Sequence, residues 1–260
     1  MQELTSAGQL GDFLARLARA PERLLVLDYD GTLAPFTPER DQAAFYPGVA
    51  PLLQAIIASG TIVAFITGRS VAEISPRLPW TGIDIFGAHG HEHRDREGRD
   101  HQVPLPADAL LALRRVEQEL LDRGFGATLE RKHGALAVHW RNAPDTLRAR
   151  IEHALPAIMS CLPASVSGTP FDGGFEFRTR GISKGTALTA LLDRHPQAAV
   201  AYLGDDLTDE DAFAALPSGG LGILVRPVLR PTRASVWLRP PGELLEFLGC
   251  WAGPDLPSAS

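Results

Sequence analysis

The chain has 260 residues, 45% of them hydrophobic, which is enough to bury the core of one large domain or of two small ones. Its formal net charge is −6 and no cluster of Lys and Arg marks a surface for nucleic acid, so a nucleic-acid-binding protein is not expected. The apolar stretches have the length of strands, so no membrane-spanning helix is expected either.

Helix and strand patterns alternate at both ends of the chain. Apolar spacing predicts helices over 9–20, 48–59, 184–192 and 209–216, and short apolar runs predict buried strands at 24–27, 61–66, 83–86, 199–203 and 222–225. Strands that alternate with helices indicate an α/β fold, here a doubly wound and mostly parallel sheet.

The middle of the chain has a different pattern. It predicts helices over 107–122 and 145–160, and strands at 127–132, 135–141 and 174–179. Helices on one face of an antiparallel sheet would form an α+β unit. We therefore expect a core domain of residues 1–103 and 180–254, an inserted cap domain of residues 104–179, and a disordered tail over 255–260.

The two cysteines and the first residues bear on location. Cys161 and Cys250 stand far apart and match no disulfide framework or zinc pattern, so we expect both to be reduced and buried. The start Met-Gln-Glu-Leu-Thr shows no signal-peptide pattern. Together these features predict a cytoplasmic protein.

Acidic residues follow two of the predicted strands. Asp28 and Asp30 come directly after the first strand, and Gly204-Asp205-Asp206 follows the strand at 199–203. Open α/β sheets bind ligands at the carboxyl ends of their strands. Carboxylates placed together repel one another unless a cation joins them, and carboxylate and carbonyl oxygens suit Mg²⁺. The pattern predicts a Mg²⁺ site, although Asp28 and Asp30 alone would equally suit a capped loop.

The string Asp-Tyr-Asp-Gly-Thr at 28–32 resembles the first motif of the haloacid dehalogenase superfamily phosphatases. The resemblance implies that Asp28 is the nucleophile that forms an aspartyl-phosphate, which would split one difficult step into two. It implies that Asp30 is the general acid/base and gives its backbone carbonyl to the metal. Gly31 would let backbone amides approach the phosphate.

The later motifs of the superfamily follow in order. Thr67 resembles the hydroxyl residue that holds a phosphoryl oxygen, with Gly68 and Arg69 beside it in substrate binding. Lys184, which by itself would suit a helix surface, resembles the lysine that offsets charge at the transferring phosphoryl group. The run at 204–210 resembles motif four, which implies that Asp205 binds Mg²⁺ through its side chain. Asp206 and Asp209 would be ligands or would lie behind the ligands.

Several stretches resemble the trehalose-6-phosphate phosphatase family within that superfamily. They are 27–35, 88–92, 129–132, 136–141, 175–178 and 204–213. The resemblance implies hydrolysis of trehalose 6-phosphate in trehalose biosynthesis, with cap closure bringing sugar-binding residues to the Asp28 site. Any trehalose-6-phosphate synthase would be a separate chain.

Three cap residues are candidates for binding the sugar. Glu130 and Lys132 are two apart, so on a strand they share one face, and Glu176 would add acceptors from a neighbouring strand. The family resemblance implies that these three hold the glucose without the phosphate, whereas spacing alone would equally allow an exposed ion pair. Arg178 would either neutralise the phosphate or pair with a cap carboxylate.

The loop at 88–93 supplies further candidates. His89, Gly90 and Glu92 are assigned to substrate binding by resemblance, although Ala88 replaces the polar residue that is usual in the family. His91 and His93 match no motif, and we expect them to be solvated.

Other functions share parts of this pattern. The same core would suit a phosphatase for glucosylglycerol phosphate or mannosylglycerate phosphate, and a phosphomutase shares the two-aspartate motif. A sugar-phosphate-binding regulator without catalysis should have lost Asp28 or Asp30, and both are present.

Overall fold

The computed structural model describes residues 7–37, 42–141, 143–171 and 173–253. It divides into two compact units, one of Met1–His101 with Ser183–Ser260 and one of Gln102–Ile182. The predicted disordered tail, 255–260, lies outside the described residues.

The described residues of the two units form twelve strands and eight α-helices. The strands are β1 (Arg23–Leu27), β2 (Ile62–Ile66), β3 (Asp84–Gly87), β4 (Glu92–Arg94), β5 (Asp100–Gln102), β6 (Leu129–Lys132), β7 (Ala135–His139), β8 (Val166–Phe171), β9 (Gly174–Thr179), β10 (Ala199–Gly204), β11 (Leu221–Val225) and β12 (Val236–Leu238). The helices are α1 (Ala7–Leu17), α2 (Val49–Ala58), α3 (Val71–Ile74), α4 (Ala107–Asp122), α5 (Asp145–Ser160), α6 (Lys184–Arg194), α7 (Glu210–Ala215) and α8 (Gly242–Ala252).

The first unit is built on an eight-stranded sheet in the order β12-β11-β10-β1-β2-β3-β4-β5. The strands from β12 to β3 are parallel, and β4 pairs antiparallel with β3. Alternate residues of β1 enter two separate clusters: Leu25 and Leu27 pack with α2 and α8, whereas Leu24 and Val26 pack with α6. A strand buried on both faces needs a continuous apolar run, which β1 and β2 have. The predicted doubly wound α/β core is confirmed.

The second unit is a four-stranded antiparallel sheet in the order β6-β7-β9-β8. Leu136, Val138 and Phe177 on one face pack against α4 and α5, which contribute Val116 and Ile151 to the same cluster. Helices on one face of an antiparallel sheet are the arrangement predicted for the α+β cap.

The sequence analysis did not predict β4, β5, β8, β12, α3 or α8. The strands β4 and β5 are three residues each, with polar sequences that lack an apolar run, and β8 contains Gly168 and Pro170. The prediction that the cysteines are buried is wrong: Cys161, directly after α5, and Cys250, in α8, are both free and exposed. None of the described helices is long and apolar enough to cross a membrane.

The prediction that His91 and His93 are solvated is also wrong. His91 is fully buried, with Nδ1 2.7 Å from the Ala88 carbonyl oxygen. His93 stacks on the Phe86 ring and its Nε2 lies 2.7 Å from Oδ1 of Asp84. Both histidines are drawn inward because β4 folds back against β3, which the sequence did not indicate.

Asp84 is a buried charge that joins three elements of the core. Its side chain is fully buried, and Arg194 at the end of α6 donates two hydrogen bonds of 3.1 Å to the same Oδ1 that His93 contacts. Burial alone would raise the pKa of Asp84, but the contacts with His93 and Arg194 outweigh it and hold the pKa below 3.8.

We expect Asp84→Asn to lower the free energy of unfolding by about 1–3 kcal/mol at pH 7, because it removes the charge that holds His93 and Arg194. A carboxyl with a depressed pKa stabilises the fold above its ordinary pKa, so the difference from wild type should shrink as the pH falls below about 4. Urea denaturation at several pH values measures this.

Asp100→Asn is the matched control, because Asp100 forms an ion pair with Arg94 while 59% exposed. Exposed pairs contribute little. Equal losses in the two variants would contradict a structural role for the buried charge.

Candidate active site

Three of the predicted site residues follow adjacent parallel strands. Asp28 follows β1, Thr67 follows β2 and Asp205 follows β10, and β1 lies between the other two strands. In the register, Leu27 pairs with both Leu203 and Phe65, so the three strands end at one level. The carboxyl edge of the sheet therefore carries these polar groups together, as open α/β sheets do at ligand sites.

Asp28 and Lys184 form a buried ion pair. Lys184 is the first residue of α6, and its Nζ lies 3.1 Å from Oδ2 of Asp28. Both side chains are almost fully buried. Burial, opposed by the charge of Lys184 and assisted by the charges of Asp209 and Asp30, raises the pKa of Asp28 to about 7. Burial alone would lower the pKa of Lys184, but Asp209 and Asp28 raise it above its ordinary value.

Asp209 is fully buried and accepts four hydrogen bonds. Its Oδ1 accepts from Lys184 Nζ at 2.8 Å and from the Tyr202 hydroxyl at 2.5 Å. Its Oδ2 accepts from the backbone amides of Asp205 and Asp206 at 3.0 and 2.9 Å. The carboxylate thus joins the lysine to the loop after β10. Sequence reasoning missed Tyr202, which sits inside an apolar strand without a polar neighbour to mark it.

Asp205 is the third buried carboxylate of the cluster. Its Oδ1 accepts a hydrogen bond of 3.2 Å from the Thr32 hydroxyl. Burial, followed by the charges of Asp28 and Asp209, raises its pKa well above the ordinary value. A Cβ on Gly31 would lie 2.3 Å from Asp205 Oδ2, and Gly31 has φ +81°, so only glycine fits here.

Oxygen atoms of Asp28, Asp205 and Asp209 lie within 4.8 Å of one another. Three buried carboxylates around one lysine leave an excess of negative charge, which favours a bound cation. The side chains of Asp30 and Asp206 lie outside this group. Asp206 is partly exposed, and its Oδ1 caps the next helical turn by accepting from the Leu207 amide at 2.7 Å.

Two arginines that the sequence analysis did not select, Arg226 and Arg230, hold the loop after β10. Arg226 donates to the Asp205 carbonyl at 3.1 Å, and Arg230 donates to the Asp206 carbonyl at 2.7 Å. Arg230 is itself fixed by a 2.6 Å ion pair with Glu210. Asp209 accepts hydrogen bonds from the backbone amides of the same two residues. The backbone of this loop is therefore held through its N–H groups by Asp209 and through its carbonyl groups by the two arginines.

The loop after β2 packs tightly against the turn after β3. A Cβ on Gly68 would lie 2.8 Å from the His89 ring. His89 is buried and has φ +58°, beside Ala88 at φ +46°. Non-glycine residues in this region are strained, and such strain concentrates at functional sites.

The remaining predicted residues of these loops are Gly90, Glu92 and Arg69, and each has a defined place in the structure. Gly90 ends the strained turn and has φ +106°. Glu92 accepts a hydrogen bond of 2.7 Å from the Val71 amide, so it joins β4 to the start of α3. Arg69 forms a two-pronged ion pair with Asp30, with distances of 2.5 and 2.6 Å.

In the second unit, the three predicted sugar-binding residues lie together on the face of the sheet opposite α4 and α5. Glu130 and Glu176 both lie opposite Ala137 in the register. Lys132 Nζ lies 3.1 Å from Glu176 Oε1 and 3.7 Å from Glu130 Oε1. Because Ala137, which lies between the two glutamates, has a small side chain, Lys132 has room to reach both carboxylates. The side chains of Lys132, Glu130 and Glu176 are mostly buried, so they do not form the exposed ion pair that the residue spacing also allowed.

The same face carries two more polar residues. Arg178 lies opposite Ala135, in the next row of the sheet. His139, which sequence reasoning missed, has Nε2 2.5 Å from Glu130 Oε2. Its position two residues after Ala137 puts it on the polar face by strand alternation, which was the available signal.

The chain is similar to several known proteins. Residues 26–238 match the family model described as trehalose-phosphatase. The trehalose-phosphate phosphatases of Mycobacterium tuberculosis and Mycobacterium ulcerans are 33% and 32% identical over 95% and 93% of this chain. The chain spans about 65% of the length of these relatives.

Two solved structures are also similar. The C-terminal domain of a trehalose-6-phosphate phosphatase from C. albicans superposes with a TM-score of 0.80 at 21% identity, covering 94% of this chain and 96% of that one. A trehalose-6-phosphate phosphatase related protein has a TM-score of 0.64 at 26% identity, covering 86% of this chain and 95% of that one.

We expect Arg230→Ala to loosen the loop after β10, because it frees the Asp206 carbonyl and leaves Glu210 without its cation. The free energy of unfolding should fall by roughly 1–3 kcal/mol, and amide hydrogen exchange at residues 205–209 should speed up. Arg233→Ala, at an exposed arginine of the same segment, is the control. Unchanged exchange at 205–209 in Arg230→Ala would show that the arginine does not hold the loop.

Proposed function

The chain belongs to the trehalose-phosphatase family, and on that premise we propose that it hydrolyses trehalose 6-phosphate to trehalose and inorganic phosphate, with Mg²⁺ as cofactor. The observation that carries the chemistry is the buried Asp28 carboxylate, 3.1 Å from Lys184 and surrounded by Asp209 and Asp205. The mycobacterial relatives bear the name trehalose-phosphate phosphatase, which supports the choice of substrate. The product would be made for trehalose biosynthesis.

The donor set fits a hard divalent cation. All the side-chain donors of the cluster are carboxylate oxygens, which Mg²⁺ prefers. We assign Asp28, Asp205 and the backbone carbonyl of Asp30 as its protein ligands. The four hydrogen bonds to Asp209 occupy both of its oxygens, so we assign Asp209 to anchoring Lys184 instead. When bound, the ion supplies positive charge that keeps Asp28 ionised and draws off charge from the phosphoryl oxygens.

Asp28 acts as the nucleophile in the first step. Its carboxylate attacks phosphorus, the bond from phosphorus to the sugar oxygen breaks, and Asp30 delivers a proton to the departing oxygen. Lys184 and the Thr67 hydroxyl hold phosphoryl oxygens. The Thr67 oxygen accepts from the Arg69 amide at 3.2 Å, which leaves its hydrogen for the phosphate.

Water completes the reaction. Asp30, now a carboxylate, takes a proton from a water molecule that attacks the phosphorus of the aspartyl-phosphate, and the bond to Asp28 breaks. Phosphate leaves and Asp28 is regenerated. Glu130, Lys132 and Glu176 recognise the hydroxyl groups of the sugar.

Phosphate release should be fastest from trehalose 6-phosphate and should stop when EDTA removes the metal. Glucose 6-phosphate and glucosylglycerol phosphate are the comparison substrates, because the core chemistry treats all three alike and sugar contacts alone separate them. Equal turnover of all three would keep the phosphatase chemistry but reject the proposed substrate.

Asp28→Asn, which keeps the size of the side chain, should lower kcat by roughly 10⁴-fold or more.

Glu130→Ala should lower kcat/KM for trehalose 6-phosphate by roughly 10- to 100-fold, because a hydrogen bond to a charged group is worth about 1.5–3 kcal/mol. Steady-state kinetics with the purified variant measure this. Glu152→Ala is the matched control, since Glu152 is an exposed carboxylate on α5 of the same unit. Kinetics unchanged in Glu130→Ala would reject Glu130 as a sugar contact.

A further inference from the structure

The Arg69 guanidinium grips the Asp30 carboxylate and is more deeply buried than that carboxylate. Its Nε donates to Asp30 Oδ2 at 2.6 Å, and its NH2 group donates to Oδ1 at 2.5 Å. The guanidinium side chain is 2% exposed, whereas the Asp30 side chain is 26% exposed. A ligand that approaches from solvent therefore meets the carboxylate before it meets the arginine.

The arginine is fixed on its other sides as well. Its guanidinium carbon lies 5.6 Å from the centre of the Tyr29 ring, and the Tyr29 hydroxyl donates to the Ala43 carbonyl at 2.9 Å. The Arg69 carbonyl accepts from the Ala88 amide at 2.7 Å, and its own amide donates to Thr67. The Tyr29 ring thus restrains the guanidinium group, and Ala88 and Thr67 restrain the Arg69 backbone. A planar guanidinium group restrained in this way can set the plane of the carboxylate that it binds.

We propose that Arg69 is a positioning residue for proton transfer by Asp30, and not a direct contact of the substrate phosphate. The inference rests on the proposed function, in which Asp30 protonates the leaving oxygen. A carboxylate offers about four lone-pair sites and the guanidinium group uses two. The other two, on the exposed side of Asp30, stay available for the proton that Asp30 gives to the leaving oxygen and later takes from water.

This role differs from phosphate binding in its dependence on the leaving group. A sugar alkoxide departs poorly without a proton, whereas p-nitrophenolate departs readily. A residue that acts through the proton donor therefore matters for a sugar phosphate and hardly matters for p-nitrophenyl phosphate. A residue that binds the phosphate matters equally for both.

The test measures the first chemical step alone, as the single-turnover release of trehalose or of p-nitrophenol, in wild type and in Arg69→Gln. Release of trehalose should slow by about 10²-fold, the cost of a misplaced catalytic group, while release of p-nitrophenol should change less than about threefold. Inhibition by inorganic phosphate should be unchanged. Equal slowing of both substrates, or weaker inhibition by phosphate, would overturn the proposal.

A double-mutant cycle with Asp30→Asn separates positioning from a general loss of structure. In the Asp30→Asn background, Arg69→Gln should cause no further slowing of trehalose release, because the group it positions is already gone. A further 10²-fold loss there would overturn the proposal. Arg94→Gln is the matched control, since Arg94 makes the same two-pronged contact with exposed Asp100, and its kinetics should equal those of wild type.

Arg69→Lys serves if Arg69→Gln does not fold, because it retains the buried charge but cannot grip both oxygens. The same dependence on the leaving group is expected.

A wild-type protein that hydrolyses another glycosyl phosphate would reject the proposed substrate, and the comparison is then run with that compound. A wild type inactive on every phosphate monoester would overturn both proposals.

Discussion

The ion pair between Lys184 and the buried carboxylates Asp28 and Asp209 is the interaction on which the rest of the site depends. Carboxylates crowded at the end of a dry sheet repel one another, and burial favours their neutral forms. Lys184 is the cation that α6 delivers to them, and it bridges residues that follow different strands. The lysine thus connects the end of β1 to the loop after β10. Three carboxylates around one lysine leave an excess of negative charge, which favours binding of a cation.

Arginine side chains stabilise the loop after β1, which carries Asp30, and the loop after β10, which carries Asp205 and Asp206. Arg69 grips the side chain of Asp30, while Arg226 and Arg230 bind the backbone carbonyls of Asp205 and Asp206. The guanidinium group suits both tasks because it stays charged and presents several donors in a fixed plane. In the loop after β10, the hydrogen bonds of Arg226 and Arg230 go to backbone carbonyls, so these bonds leave the carboxylates of Asp205 and Asp206 for other contacts.

The second unit uses the two faces of one sheet for different purposes. Leu136, Val138 and Phe177 pack on the helices, and the alternate positions carry Glu130, Lys132 and Glu176. Ala137 between the two glutamates is the feature that permits this arrangement, because a larger side chain there would separate the charges. Alternation in sequence predicts the two faces, but only the register shows that a small residue lies between the glutamates.

The sequence by itself determined the fold class, since continuous apolar runs such as 24–27 that alternate with helical patterns are typical of a parallel sheet buried on both faces. It also placed Asp28, Thr67 and Asp205 directly after strands, where a parallel sheet must bring them to one edge. It did not show that His91 is buried, that His93 is half-buried, or which groups contact Asp84. The position of His93 depends on the pairing of β4, a three-residue polar strand that no local pattern marks, with β3. Tyr202, Arg226 and Arg230 were identified as part of the site only in the tertiary structure. Their partners lie 7 to 25 residues away and are determined by the path of the loop after β10, which local sequence does not encode.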